Sequence, residues 1–289
     1  GPYLWVVDDY PTRPATGETI EQWLAPSSNG ASLVTSRSRV ALQMGTEIAL
    51  GVLAPEAAYT LLTREMAPSG EAERSAARAI GESLGHHPLA LAVTSARMPF
   101  VFTNTPYQTL LDELEAANKV EILHEYADPS LVSQLPEGHE GSILYTLKRS
   151  VDLLSEGGQR LLQAASVLAP SASPIALMSA IFKEEKSNLG KAAMETAKAG
   201  LLQMGEVQAA SEQKGIRTLE VHTLVAHTAA VAMTPEARSA LRGVAREAVL
   251  VAMSEAHDSR RHRALSPWSI HGHTLVDEGE EGLDLLGWL

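Results

Sequence analysis

Two adjacent carboxylates, Asp8 and Asp9, follow a run of five apolar or aromatic residues, Tyr3–Val7. A run of that length without alternation is the composition of a central parallel strand covered on both faces. The carboxyl end of such a strand faces the ligand crevice of an open α/β sheet. One acid there can hold a divalent cation, and its neighbour can orient a water. A solvated strand-end turn ahead of Pro11 accounts for the same pair without chemistry. A second short strand, Ala31–Thr35, ends in Ser36-Arg37-Ser38-Arg39. It would bring a hydroxyl and Arg37 to the edge where Asp8 and Asp9 stand. A guanidinium suits a terminal phosphate, because its charge is permanent and its donors form a fork. Surface charges in a loop are the competing account of Arg37 and Arg39.

The elements that must position these residues follow in order. Thr19-Ile-Glu-Gln22 reads as a capping box that starts a short helix and turns Trp23 and Leu24 inward. Ile48–Leu53 reads as a third strand or extended approach. Pro55 suits the first position of a helix, and helical spacing runs from there to about residue 118. Gly85 is a helix stop, Pro88 opens the next helix, and Thr105-Pro-Tyr-Gln108 is a second capping box. Residues 125–141 are rich in Pro, Gly and acid and read as a linker. From Ser142 three helices are expected, the third over Leu189–Ala199. A hairpin of Leu201–Val207 and Arg217–His222 follows. Three helices and a hairpin outline a winged helix. Thr234-Pro-Glu236 caps a further helix, and Trp268–Leu289 holds one more or two.

Composition narrows the classes. The chain has 289 residues, 45% hydrophobic and 4% aromatic, a mix that favours helices around a sizeable core. It has no cysteine, which excludes disulfides and thiolate metal sites and suits a reducing compartment such as the cytoplasm. A net charge of −12 argues against a broad footprint on nucleic acid. No apolar run approaches the length of a membrane span.

Five segments, in order, resemble the STAND class of signal-transduction ATPases, close to the NB-ARC type and to bacterial members with C-terminal tetratricopeptide repeats. Tyr-Leu-Trp-Val-Val-Asp8-Asp9 resembles their Walker B strand. Leu-Val-Thr35-Ser36-Arg37 resembles the sensor-1 strand. Leu53–Leu62 resembles the lead into the first helical domain. Gly85-His-His-Pro88-Leu-Ala-Leu resembles the Gly-Leu-Pro-Leu-Ala-Leu motif, with His86 and His87 departing from the usual leucine. Leu219-Glu-Val-His222-Thr-Leu-Val resembles the MHD motif that ends the winged helix.

The resemblance implies a mostly α chain with a small α/β part. Residues 1–54 would be the C-terminal portion of a P-loop NTPase sheet, 55–124 a helical bundle domain and 125–141 a linker. Residues 142–233 would be a winged-helix domain, and 234–289 the start of an α-solenoid. ATP or ADP and Mg²⁺ are the implied cofactors. Asp8 would hold Mg²⁺ through water, and Asp9 would be the catalytic base. Arg37 would sense the γ-phosphate, Pro88 would pack on adenine, and His222 would bond the β-phosphate of ADP. His227, His271 and His273 show no metal-ligand spacing and are expected to be structural or solvated.

One element of the family is missing. The 289 residues contain no Gly-x-x-x-x-Gly-Lys-Ser/Thr, the loop that cradles phosphates with backbone N–H groups. The chain alone is therefore expected to be inert, the second half of a nucleotide switch. The expected partners are nucleotide, further copies of itself on activation, a ligand of the repeats and an N-terminal effector, in bacterial defence or signalling. A winged-helix DNA-binding regulator and a non-catalytic scaffold are the alternatives. For the DNA reading, Leu189–Ala199 carries Lys191 and Lys198 but also Glu195, and a basic cluster, Arg260-Arg-His-Arg263, lies outside that unit.

Overall fold

Strand β1 (Tyr3–Tyr10) pairs in parallel with β2 (Gly30–Ser36), placing Tyr3 opposite Gly30 and Val7 opposite Val34. This pair belongs to the first of two compact units of the computed structural model, Gly1–Gly51 and Val52–Leu289. Residues 1–10, 19–36, 45–46, 48, 50–117, 122, 132, 135–182, 186–207, 215–254 and 262–276 are described. The 125–141 linker before Leu135 lies outside them, except Val132, as do the Arg260–Arg261 part of the basic cluster and the chain beyond Val276.

The first unit closes around Val7, Tyr10 and Ile20, with Leu24 and Val34 packed against them. Trp5 Nε1 donates to the Trp23 carbonyl at 2.8 Å, and the Tyr10 and Trp23 rings meet edge to face. The expected burial of Tyr3–Val7 on both faces does not hold. Leu4 is 61% and Val6 56% exposed, and only Val7 of the five is buried. Among the described residues β1 has one neighbouring strand and one short 3₁₀ helix, Ile20–Trp23, so most of its apolar surface has no covering layer. The first capping box also fails. The Thr19 side chain caps no backbone N–H and bonds the Glu21 carboxylate instead, which holds that carboxyl below its usual range. Trp23 is partly exposed rather than turned inward. Ile48, Leu50 and Gly51–Leu53 form no strand; the Leu53 N–H is taken by the His86 carbonyl at 3.1 Å.

The second unit is mostly helical. Helices α1 (Pro55–Leu62), α2 (Gly70–Ser83), α3 (Pro88–Arg97) and α4 (Pro106–Ala116) come first, three of them opened by proline. Ala76, Ala77 and Ile80 share one face of α2 and are buried. The second capping box gives way to a contact from another helix. The Thr105 side chain makes no cap, and Glu73 of α2 takes its place. Glu73 is 2% exposed and accepts from the N–H groups of Tyr107 and Gln108 at 3.0 and 3.1 Å. The Tyr107 hydroxyl donates to the Met66 carbonyl, and burial, ahead of Tyr59 and Glu73, pushes its pKa up to about 12.

Helices α5 (Glu140–Asp152) and α6 (Glu156–Ser166) lead to a two-residue strand, β3 (Ser173–Pro174), then α7 (Ile175–Phe182) and α8 (Lys186–Lys198). Strands β4 (Gln203–Val207) and β5 (Ile216–Glu220) form the expected hairpin, and β3 adds antiparallel to β5. Helices α9 (Thr223–Val231), α10 (Pro235–Met253) and α11 (His262–Leu275) complete the unit. One continuous hydrophobic core runs from Ala58 to Leu275. No helix among the described residues is long and apolar enough to cross a membrane.

Candidate functional site

The parallel register sets Asp8 beside Thr35 at the carboxyl ends of β1 and β2. The Thr35 hydroxyl donates to Asp8 Oδ1 at 2.6 Å, and both residues are exposed. Ser36 Oγ donates to the Tyr10 carbonyl at 2.9 Å and ties the strand ends together. A carboxylate with a hydroxyl at its side is a hard-oxygen pair open to water. It fits Mg²⁺, which keeps most of its waters and takes one or two carboxylates plus substrate phosphates. It does not fit a dedicated protein cage, and no group of three or more His, Asp or Glu among the described residues could hold a metal ion. Asp9 lies within β1, but its side chain falls outside the described residues, as do Arg37 and Arg39.

The other three site candidates belong to the second unit. The turn into α3 runs through two left-handed residues, Gly85 (φ 55°) and His86 (φ 52°). Gly85 has no alternative: a Cβ there would sit 2.8 Å from the His139 ring. The turn delivers His87 as N-cap of α3, its Nδ1 accepting from the Ala90 N–H at 3.4 Å. Pro88 follows, exposed at the first helical position. His87 is half-buried and caps the helix with its ring.

His222 does the same for α9. It follows β5, and its Nδ1 accepts from the Leu224 N–H at 3.1 Å. A neutral imidazole that accepts at Nδ1 carries its proton on Nε2. Each histidine thus caps its helix through Nδ1. The two are within electrostatic reach. Burial first, and then the charge of His222, hold the pKa of His87 below its ordinary value. A Cβ on Gly200 would lie 3.3–3.4 Å from Ala92 and Ala96 of α3, so the turn after α8 rests directly on that helix.

His271 is fully buried, and burial holds its pKa below the ordinary value, against a weaker opposing influence of the Ala172 backbone; neither ring nitrogen has a hydrogen-bond partner among the described residues. Glu195 is engaged within the fold, its carboxylate accepting from the Ser155 N–H at 2.8 Å and from the Ser155 hydroxyl.

A pH dependence follows from the two depressed histidines. Both are kept neutral in the fold and gain protons more readily once unfolded, near pH 6.5. Their stabilisation is full above about pH 6.5 and is lost as pH falls through their folded-state values. Thermal melts between pH 8 and pH 5 should show a falling Tm. His87→Asn, which keeps a capping side chain without a titratable ring, should flatten the curve.

No protein-family model matches this sequence, and no curated protein matches it either.

Proposed function

We propose that this chain is the regulatory switch portion of a nucleotide-dependent signalling ATPase of the STAND class. The observation that carries the reading is the convergence of His87, Pro88 and His222. His87 and His222 are 135 positions apart in the sequence, yet each caps a helix N-terminus and the charge of His222 acts on His87. Helix N-termini carry partial positive charge and free N–H groups, which favour phosphate oxygens. Exposed Pro88 offers a rigid apolar surface beside them.

On this reading β1 and β2 are the Walker B and sensor-1 strands, and α1–α4 are the helical domain. Helices α5–α9 with the β3-β5-β4 sheet are the winged helix, and α10 and α11 begin the repeats. Mg²⁺ would be held by Asp8 through water, with Thr35 orienting the carboxylate; the ion supplies charge neutralisation at the phosphates. Asp9 stands next to Asp8 in β1, where a base would be needed, and Arg37 follows the end of β2. ADP bridging Pro88 and His222 would hold the winged helix against α3. A ligand on the repeats would favour an open, oligomerising form that gathers N-terminal effectors. The nucleotide biases that equilibrium only through contacts that differ between the two states, and His222 is the proposed one.

In the full-length protein, His222→Ala should weaken ADP binding at least tenfold, about 1.4 kcal/mol, by calorimetry. It should also shift the protein toward oligomers in light scattering. Unchanged affinity and assembly would remove the lock. The present chain, without a phosphate-binding loop, should hydrolyse ATP no faster than its Asp8→Asn variant.

A further inference from the structure

A cavity of about 190 Å³ opens on the second unit between the end of α6, the segment entering β3, and helices α9 and α10. Its polar lining is basic or neutral. Arg238 and His227 face it together with the hydroxyl residues Ser171, Ser173 and Thr223, and no aspartate or glutamate lines it among the described residues. In a chain with 35 acidic and 23 basic residues, a cavity wall with an arginine, a histidine and no carboxylate among the described residues suits a negatively charged group. The rest of the wall is apolar, with Leu168, Ala169, Val221, Ala226 and Ala230.

We propose that this cavity binds a small organic carboxylate with a short apolar body. Arg238 is exposed at the start of α10, where its guanidinium can take both oxygens of a carboxylate. His227 is half-buried on α9 and lies behind it. The apolar wall receives the hydrocarbon part. Size sets the scale of the ligand: an apolar cavity of about 150 Å³ admits benzene, so this one of about 190 Å³ has room for an acid of benzoate size. The inference rests on the cavity alone and stands whether or not the nucleotide reading does. On the nucleotide reading its consequence is regulatory, because α9 presents Ala226, His227 and Ala230 to the cavity and carries His222 at its N-cap. A bound acid joins α9 to α10 and holds the helix that positions His222.

Benzoate titrated into the 289-residue chain should raise Tm in a saturable way, following mass action at millimolar affinity. Benzyl alcohol, of similar size and uncharged, and sodium chloride at matched ionic strength should not. Arg238→Gln, an exposed change that leaves the core alone, should weaken benzoate at least tenfold. No benzoate-dependent shift up to about 50 mM would overturn the site. An equal shift from inorganic phosphate would overturn the requirement for an apolar body. Undiminished binding by Arg238→Gln would overturn the role of the guanidinium.

Discussion

Glu73→Ala should lower the unfolding free energy of the second unit by about 3–5 kcal/mol, which for a body of this size is a fall in Tm of roughly 10 °C or more. The size of the effect comes from what is left behind. The Glu73 carboxylate is buried and is the acceptor for the Tyr107 and Gln108 N–H groups. Removing it strands both donors at the start of α4, with no Thr105 side chain to replace it, and opens a void between α2 and α4. A carboxylate at a helix N-terminus also complements the helix dipole, so its charge contributes beyond the two hydrogen bonds. Glu73→Gln keeps the shape and one acceptor but turns an amide donor toward a second donor. Its loss should fall between wild type and alanine. Denaturant melts followed by circular dichroism would measure all three. A Glu73→Ala protein within about 1 kcal/mol of wild type would show that the carboxylate does not cap α4.

The second large effect is expected at Gly85, where alanine should cost about 2–4 kcal/mol. Two separable terms contribute. The left-handed backbone, φ 55°, opposes any L side chain, and the new methyl meets the His139 ring at 2.8 Å. A double variant, Gly85→Ala with His139→Ala, should relieve the steric part and leave a backbone part of about 1–2 kcal/mol. His139 Nδ1 lies 3.1 Å from the Ser83 carbonyl, so His139→Ala alone is needed to complete the cycle. The turn also aims His87 and Pro88. A Gly85→Ala protein that still folds should therefore show a changed pH dependence of Tm, because the His87 ring will no longer sit where burial and His222 act on it.

What the residues disclosed and what they hid follow from the range of the interactions. Proline at the first helical position, glycine at a helix end and a threonine cap are local signals. Pro55, Pro88, Pro106 and Thr234 accordingly open α1, α3, α4 and α10 as expected. The hairpin of β4 and β5 was legible from two apolar runs around a polar loop. The third strand was not, because two residues carry no periodicity and β3 exists only through β5. The capping boxes misled for the same reason. Thr19 and Thr105 have the right spacing, but Glu21 and Glu73 offer stronger partners that spacing cannot reveal. In the candidate site, the pairing of Asp8 with Thr35 was foreshadowed by two strands that each end in polar residues. The influence of His222 on His87 was not, since it joins residues 135 positions apart through tertiary packing that local spacing does not report.

The exposed face of β1 has a consequence for how copies of this protein behave toward each other. Leu4, Trp5 and Val6 stand in the open on a strand that pairs with one other among the described residues, and an exposed apolar strand of that kind is a template for further strands. Isolated two-stranded sheets are marginal by themselves and gain from added layers. At low salt a charge of −12 keeps molecules apart. Physiological salt shortens that repulsion to about 8 Å. Association in physiological salt should then be sensitive to this exposed apolar face, and acidic substitutions at Leu4 and Val6 should keep the protein dispersed.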